Sequence, residues 1–347
     1  MSSLQVTNIA LVGIGTIGQR HHMAIEKTNN VNLVGIVDLS NQAKDYSEDK
    51  KIPLYENLND LKINHNIDGV IISTPTILHH EHALTALKLG LDVLIEKPIS
   101  ANLSEAQEIA KIANENNCKV LVGHQRRFYP LVIKAKQVIQ NGEIGKILGL
   151  SGVWGLRKDN DYFEPDWRKK ISAGPVITNL IHDIDYLRFI FGEIESVSAY
   201  SSNNINNFEK EDIITTNFKF KNGMLGNFLI TDCGTSPWSW ETSTGENIHL
   251  PHLKENNLKI IGTEGSLEFP NLELWKYKNK GQNWKDEINK IQIDTKKIDP
   301  YVSQINHFKD VINREVEPIT DALDAKITLK VSLSILESAK SEKIIVI

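Results

Sequence analysis

Within the first 125 residues, short apolar runs alternate with segments of helical spacing, and this rhythm limits the fold more than any other feature. The runs are "NIALVG" (8–13), "VNLVGIVD" (31–38), "DGVIIST" (68–74), "LDVLIE" (91–96) and "CKVLVGH" (118–124). Between them lie "HHEHALTALKLG" (79–90) and "SEAQEIAKIANENN" (104–117), the second reading as a capping box from Ser104 to Gln107. Strands alternating with helices predict βαβ units and a parallel sheet covered on both faces. After residue 124 the rhythm changes. A helix over 129–141 and a strand over 146–154 precede a long helix over 174–192, with Pro175 suited to its first turn and Gly192 to its end. Strand patterns then follow at 194–202, 213–221, 224–232, 257–262, 265–269, 272–278 and 288–294. They predict a mostly antiparallel sheet with one helix-covered face, finished by helices over 300–313 and 322–341 and a short strand over 343–347. The stretch 234–252 reads as a long irregular loop.

The first run opens directly onto "GIGTIG", which places Gly13, Gly15 and Gly18 in the G-x-G-x-x-G spacing at a strand-to-helix turn. The first glycine permits the tight turn, the second a close backbone approach to a pyrophosphate, and the third close packing of helix on strand. Gly13, Gly15, Thr16, Ile17 and Gly18 are therefore the expected phosphate cradle, with the helix amino terminus facing the anion. The second strand ends in Asp38, twenty residues past Gly18, where a carboxylate accepts from ribose hydroxyls. With no arginine close by, Asp38 favours NAD over NADP; its alternative role is to cap the next helix. The fold class expected is α/β, with a Rossmann domain over 1–124 and an α+β domain carrying a large open sheet over 125–347.

Ligands of open parallel sheets bind outside the carboxyl ends of the strands. This gives Glu96 and Lys97, which terminate the fourth run ahead of Pro98, a place at the cofactor edge. A lysine there needs an exit to water or a task.

Composition removes several alternatives. The 347-residue chain has 39 basic and 44 acidic side chains, a net charge of −5, and shows no basic stripe, which argues against nucleic acid as a partner. Its two cysteines are too few for a disulfide framework or a cysteine-based metal site. No apolar stretch approaches membrane-spanning length and no signal peptide is visible, so the expected compartment is the cytoplasm. His21-His22 and His79-His80-x-His82 resemble metal ligands, but no carboxylate or cysteine joins them at ligand spacing, and no metal is expected.

The quoted turn, together with "STPTILHHEHALTALKLGLDVLIEKPIS", "VGHQRRFYP", "NGEIGKI" and "WRKKISAGPVITNLIHDIDYLRFIFG", resembles the glucose–fructose oxidoreductase and inositol dehydrogenase family. The resemblance implies a Rossmann domain followed by a domain whose sheet mediates homodimers or homotetramers. It also implies hydride transfer between nicotinamide and a hydroxyl or ketone carbon of a sugar- or cyclitol-like small molecule. Lys97 matches the family's catalytic-site lysine and His182 its catalytic histidine. Ser73, Thr74, Pro75 and His79 fall in the loop that lines the cofactor, to which Glu96, Arg127, Trp167 and Arg168 are added. In one place the chain departs from the pattern. The family often has an aspartate four residues before its histidine, and Thr178 stands there.

Regular helical geometry would put Thr178, His182 and Asp185 on one face, with Asn179 bordering it and Asp183 turned away. Asp185 is then the expected orienter of the imidazole. Lys97 takes the proton itself with a lowered pKa, or stays charged while His182 handles it. Lys97, Arg127, Thr178, Asn179 and His182 make up the expected substrate set with Trp238 and Trp240, whose flat surface suits a ring, or equally an oligomer contact. Two other functions remain open: reduction of an imine or conjugated ring, and a non-catalytic NAD-binding regulator.

Overall fold

The computed structural model describes residues 6–247, 249–279 and 281–347. In chain order the first elements are β1 (Thr7–Val12), α1 (Thr16–Glu26), β2 (Val31–Val37), α2 (Asn41–Lys50), β3 (Leu54–Tyr55) and α3 (Leu58–Asn64). They continue through β4 (Gly69–Ile72), α4 (His79–Lys88), β5 (Asp92–Glu96), α5 (Leu103–Glu115) and β6 (Val120–Gly123). Next come α6 (Pro130–Gln140), β7 (Ile147–Gly155), α7 (Ile181–Phe191), β8 (Ile194–Ser202), β9 (Ile213–Phe220) and β10 (Leu225–Thr231). The last are α8 (Trp240–Thr244), β11 (Leu258–Gly262), β12 (Ser266–Phe269), β13 (Glu273–Tyr277), β14 (Ile288–Gln292), α9 (Pro300–Ile312), α10 (Ala322–Ser341) and β15 (Ile345–Val346).

Two compact units result, and neither is one continuous piece of chain. The first runs to Phe128 and is completed by Ile298–Leu329; the second joins Tyr129–Lys297 to Lys330–Ile347. A single cut at residue 124 therefore misses that α9 and the start of α10 belong with the first unit. The cause is packing. Tyr301, Ile305 and Phe308 of α9 share a core with Ile9, Leu11, Ile71, Leu94 and Leu121. Gly69 makes room for this helix, because a Cβ there would lie 2.6 Å from Ile312 Cδ1 and 3.0 Å from Phe308.

The first unit's sheet is parallel, in the order β3-β2-β1-β4-β5-β6. All four residues of β4 and all five of β5 are buried, as expected of strands covered on both faces. The order reverses between β1 and β4, the switch point at which such sheets open a crevice.

The second unit's sheet has the order β14-β13-β12-β11-β7-β10-β9-β8-β15, antiparallel except where β7 meets β10. Burial alternates along β9 and β10, placing Ile214, Phe218, Phe220, Phe228 and Ile230 in a core with Leu180, Ile184 and Leu187. The opposite face carries Tyr200, Leu225, Leu229 and Ile261, all exposed.

Three local expectations need correction. The helix foreseen over 174–192 begins with a wider π-helical turn, Val176–Leu180, before α7. The cap of α5 is Asn102, whose side chain accepts from the Glu105 amide while Glu105 accepts from the Ala101 amide; Ser104 merely donates to Asn102. The stretch 234–252 contains α8, capped by Ser239, which accepts from the Thr242 amide.

Candidate active site

In the first unit the glycine turn has the shape that its spacing implies. Gly13 adopts φ +90°, and a Cβ there would meet the Thr74 amide at 2.9 Å. A Cβ on Gly18 would lie 2.1 Å from the Gly13 carbonyl oxygen, so helix and turn pack as only glycine allows. Gly15 differs: a Cβ there would meet nothing within 4 Å. It precedes α1 without a side-chain cap, which leaves amino-terminal amides of that helix facing open space. This cradle fits a dinucleotide pyrophosphate.

Asp38 is held beside the turn. One carboxylate oxygen accepts from the Ile14 amide at 2.8 Å and the other from the Ser40 amide at 2.8 Å. Burial alone pushes this carboxyl up, but hydrogen bonds from the Ile14 and Ser40 amides, the Ser40 hydroxyl and the Leu39 amide together outweigh it and hold it below the usual carboxylate range. The cap of α2 is Ser40, which accepts from the Ala43 amide, so Asp38 does not serve as that cap. The ionised carboxylate is an acceptor at the end of β2, beside the glycine turn, of the kind a ribose hydroxyl requires. The following Leu39 is exposed.

The loops after β4 and β5 are tied by His79. Its Nδ1 lies 2.8 Å from the Pro98 carbonyl oxygen and its Nε2 2.8 Å from that of Thr74. Burial pushes the imidazole pKa down against the pull of these carbonyls. His79 is thus a buried clamp behind the loop, while Thr74 Oγ1 contacts His82 and Ser73 Oγ donates to the Gly13 carbonyl at 2.8 Å. Glu96 also points inward: Oε1 lies 2.7 Å from His21 Nε2, and Oε2 accepts from the Lys97 amide at 3.2 Å. Lys97 follows at the carboxyl end of β5, half-buried, on a cis peptide bond to Pro98. Arg127 is buried within the same unit, donating to the Ile319 carbonyl at 2.9 Å and pairing with Asp324 at 2.7 Å. The histidines of the helix starts go to separate partners: His21 to Glu96, His22 to Tyr46 and His80 to Glu108.

In the second unit, His182, Asp183 and Asp185 are buried in the first turns of α7. Asp183 accepts from the Tyr186 hydroxyl at 2.9 Å, a bond inside the core. Thr178 and Asn179 sit in the π-helical turn, so the wider turn changes the register between Thr178 and His182 that a regular helix would give. The Thr178 hydroxyl lies 3.0 Å from the Gly174 carbonyl oxygen and 2.9 Å from Asn179 Oδ1. It brings no charge where the family often has an aspartate.

The two loop tryptophans separate. Trp238 is 44% exposed, whereas Trp240 is 0% exposed and packs on Tyr129, Tyr186 and Phe269. Trp240 as a substrate-facing ring is therefore corrected: it is a core residue. Sequence reasoning missed a cluster in the same unit. Lys158 Nζ donates to the Tyr162 hydroxyl at 3.1 Å and to Asn179 Oδ1 at 3.3 Å, and the Arg168 guanidinium lies 4.1 Å from the Tyr162 ring centre. The dense charge of "RKDNDYFEPDWRKK" (157–170) was the available signal. Trp167, beside Arg168, is exposed.

Comparison with known proteins agrees with this architecture. The family model described as an oxidoreductase family with an NAD-binding Rossmann fold matches residues 7–124, and that of the GFO/IDH/MocA C-terminal domain matches 132–268. The chain is 28% identical to scyllo-inositol 2-dehydrogenase (NAD(+)) of Bacillus subtilis over 343 residues, covering 96% of this chain and 94% of that protein. It is 23% identical to D-xylose 1-dehydrogenase [NADP(+)] of Haloarcula marismortui, covering 83% and 77%. The WlbA dehydrogenase from Bordetella pertussis, solved in complex with NADH and UDP-GlcNAcA, shares the fold with a TM-score of 0.81 at 21% identity, covering 99% of each chain. An open glycine cradle at the switch point, a fixed acidic residue at the end of β2 and two matching halves lead to one statement: the chain belongs to the GFO/IDH/MocA family of oxidoreductases.

Proposed function

We propose that the protein is an NAD-dependent dehydrogenase or reductase acting on a hydroxyl or ketone carbon of a sugar- or cyclitol-like molecule. The observation that carries this is the first unit's arrangement: an open cradle at Gly15, Asp38 fixed by two amides, and Lys97 leaving β5 at the sheet's ligand edge. Bound nicotinamide supplies the hydride donor or acceptor. Lys97 holds positive charge against the substrate oxygen, polarising it. His182 takes the hydroxyl proton in oxidation and returns it in reduction, a task suited to an imidazole near neutrality. Asp38 selects NAD by accepting from the ribose hydroxyls and repelling a 2′-phosphate. The named relatives act on inositol and xylose, which supports a cyclic polyol as the substrate class.

One observation favours a second reading. The uncharged Thr178 leaves His182 without the family's usual carboxylate at that position, which suits reduction of an imine or conjugated ring. The exposed apolar face of Tyr200, Leu225, Leu229 and Ile261 supports a homo-oligomer through the second unit's sheet. Among the described residues no helix is long and apolar enough to cross a membrane, and both cysteines are free thiols, which supports the cytoplasm. The deciding experiment is a panel of cyclitols, sugars and amines screened for NADH formation with the wild type and Lys97→Met. Loss of about 10² or more in rate with intact NADH binding is expected, and a variant turning over normally defeats the assignment of Lys97.

A further inference from the structure

Glu211 is a buried carboxylate with no part in the hydride or proton transfer. It is 7% exposed and, among the described residues, forms no ion pair. Its neighbour Lys210 turns instead to Asp232, with 2.9 Å between Nζ and Oδ2. What Glu211 grips is backbone. Its Oε1 accepts from the Val176 amide at 3.0 Å. Both oxygens lie over Gly174, where a Cβ would stand 2.3 Å from Oε2 and 2.5 Å from Oε1. Only glycine at 174 lets the carboxylate come this close.

The gripped turn leads to His182. Pro175 has no N–H, so Val176 supplies the first amide of the π-helical turn, one of those a helix start leaves without an internal acceptor. A carboxylate there also complements the positive end of the helix. The carbonyl of the same Val176 accepts from the amide of Ile181, the residue before His182. The Gly174 carbonyl accepts from the Ile177 and Thr178 amides at 3.1 and 3.0 Å and from the Thr178 hydroxyl at 3.0 Å. One carboxylate therefore sits on the two residues from which the wide turn hangs. Its charge is conditional. Burial pushes the Glu211 carboxyl above the ordinary 4.5, and Asp232 adds to this, while the Val176 amide, the amide of Glu211 itself and Lys210 oppose it. As pH falls, Glu211 is neutralised before an ordinary glutamate is.

We propose that Glu211 is a positioning residue for His182: ionised, it holds the π-helical turn in the register that sets the imidazole, and protonated it releases that turn. The proposal rests on the reading of His182 as the proton carrier and adds a control exerted from outside the helix. A buried charge without a cation is destabilising, so a carboxylate kept in such a place needs a task. Holding the turn that carries Thr178, Asn179 and the approach to His182 is that task.

The test uses the whole protein with isotope-labelled histidine, the His182 signal being identified by its loss in His182→Ala. That signal is followed by NMR between about pH 5 and about pH 8. In the wild type it should report a second proton besides its own, as an extra step or a displaced midpoint on the acid side. Glu211→Gln, which keeps an acceptor for the Val176 amide and removes the charge, should abolish that response. Gly174→Ala, whose Cβ displaces the carboxylate, should do the same and serves should Glu211→Gln fail to fold. Glu209→Gln, at an exposed side chain paired with Lys170, should leave the wild-type curve. In parallel, NAD reduction with scyllo-inositol should show kcat about tenfold or more lower in Glu211→Gln, with KM for NAD unchanged. Identical His182 curves in the wild type and Glu211→Gln would overturn the proposal. So would a lower melting temperature with curve and kcat unmoved, which leaves Glu211 a folding residue only. A wild type that does not oxidise scyllo-inositol counts against the dehydrogenase reading, and the His182 curve then decides on Glu211 by itself.

Discussion

His21 Nε2 lies 2.7 Å from Glu96 Oε1, and the second Glu96 oxygen accepts from the Lys97 amide. The imidazole comes from α1, directly after the glycine turn, and the carboxylate from the end of β5. This buried pair therefore ties the cofactor cradle to the residue that precedes Lys97. His21 also meets the Tyr301 ring edge-on at 5.3 Å, which fixes its plane.

Breaking such a pair leaves one buried polar group uncompensated, so His21→Leu should cost about 3–5 kcal/mol. The pH dependence follows from Glu96. Burial pushes its carboxyl up, but His21 and the Lys97 charge and amide outweigh it and hold it below the ordinary 4.5. As pH falls, the unfolded chain takes the proton first. The stabilisation is thus complete above the ordinary value and disappears as pH falls through the folded one. Urea midpoints measured between about pH 6 and 3 should fall more steeply for the wild type than for Glu96→Gln. Parallel slopes would show that Glu96 is not the titrating group.

Asp38 yields a prediction on cofactor choice. Both its oxygens are engaged by amides, so Asp38→Asn keeps an acceptor and removes the charge. The wild type should bind NADH about tenfold or more tighter than NADPH, and Asp38→Asn should narrow that ratio. Equal affinities in the wild type would sink the assignment.

The tryptophans should separate just as sharply in stability. Trp240→Ala empties a site ringed by Tyr129, Tyr186 and Phe269 and should cost about 3–5 kcal/mol. Trp238→Ala should change the melting temperature little, because Trp238 is half-exposed. Differential scanning calorimetry of both variants decides this, and comparable losses would refute the core assignment of Trp240 alone.

What could be read from the sequence was whatever local chemistry fixes. The turn at Gly13, Gly15 and Gly18 was legible because backbone sterics at a strand-to-helix turn permit little else. The strands of the second unit were legible because alternation along 213–220 and 225–231 reports a half-covered sheet. The inward turn of Glu96 and the clamp role of His79 were not, because both depend on partners far away in the chain: His21, and the carbonyls of Pro98 and Thr74. The core placement of Trp240 depends likewise on Tyr129 and Phe269. The return of α9 to the first unit was hidden for the same reason, since its amphipathic spacing does not say which sheet it covers. The π-helical turn has no composition signal of its own, and it altered the face on which Thr178 had been counted.

That turn bears on the last prediction. If His182 carries the proton, its neighbours on α7 must hold its tautomer, and Thr178, engaged with Gly174 and Asn179, brings no charge to the task. Asp185 lies three residues beyond His182 on the regular part of the helix, whereas Asp183 is committed to the Tyr186 hydroxyl. His182→Ala should abolish most turnover, Asp185→Asn should cost substantially less, and Asp183→Asn should appear mainly as a lower melting temperature. The pH profile of kcat/KM should contain a group titrating near neutrality, and that group should vanish in His182→Ala. If the profile survives in His182→Ala and shifts only in Lys97 variants, the lysine is the sole acid–base group. His182 is then a binding residue, and reduction of an imine or conjugated ring becomes the leading function.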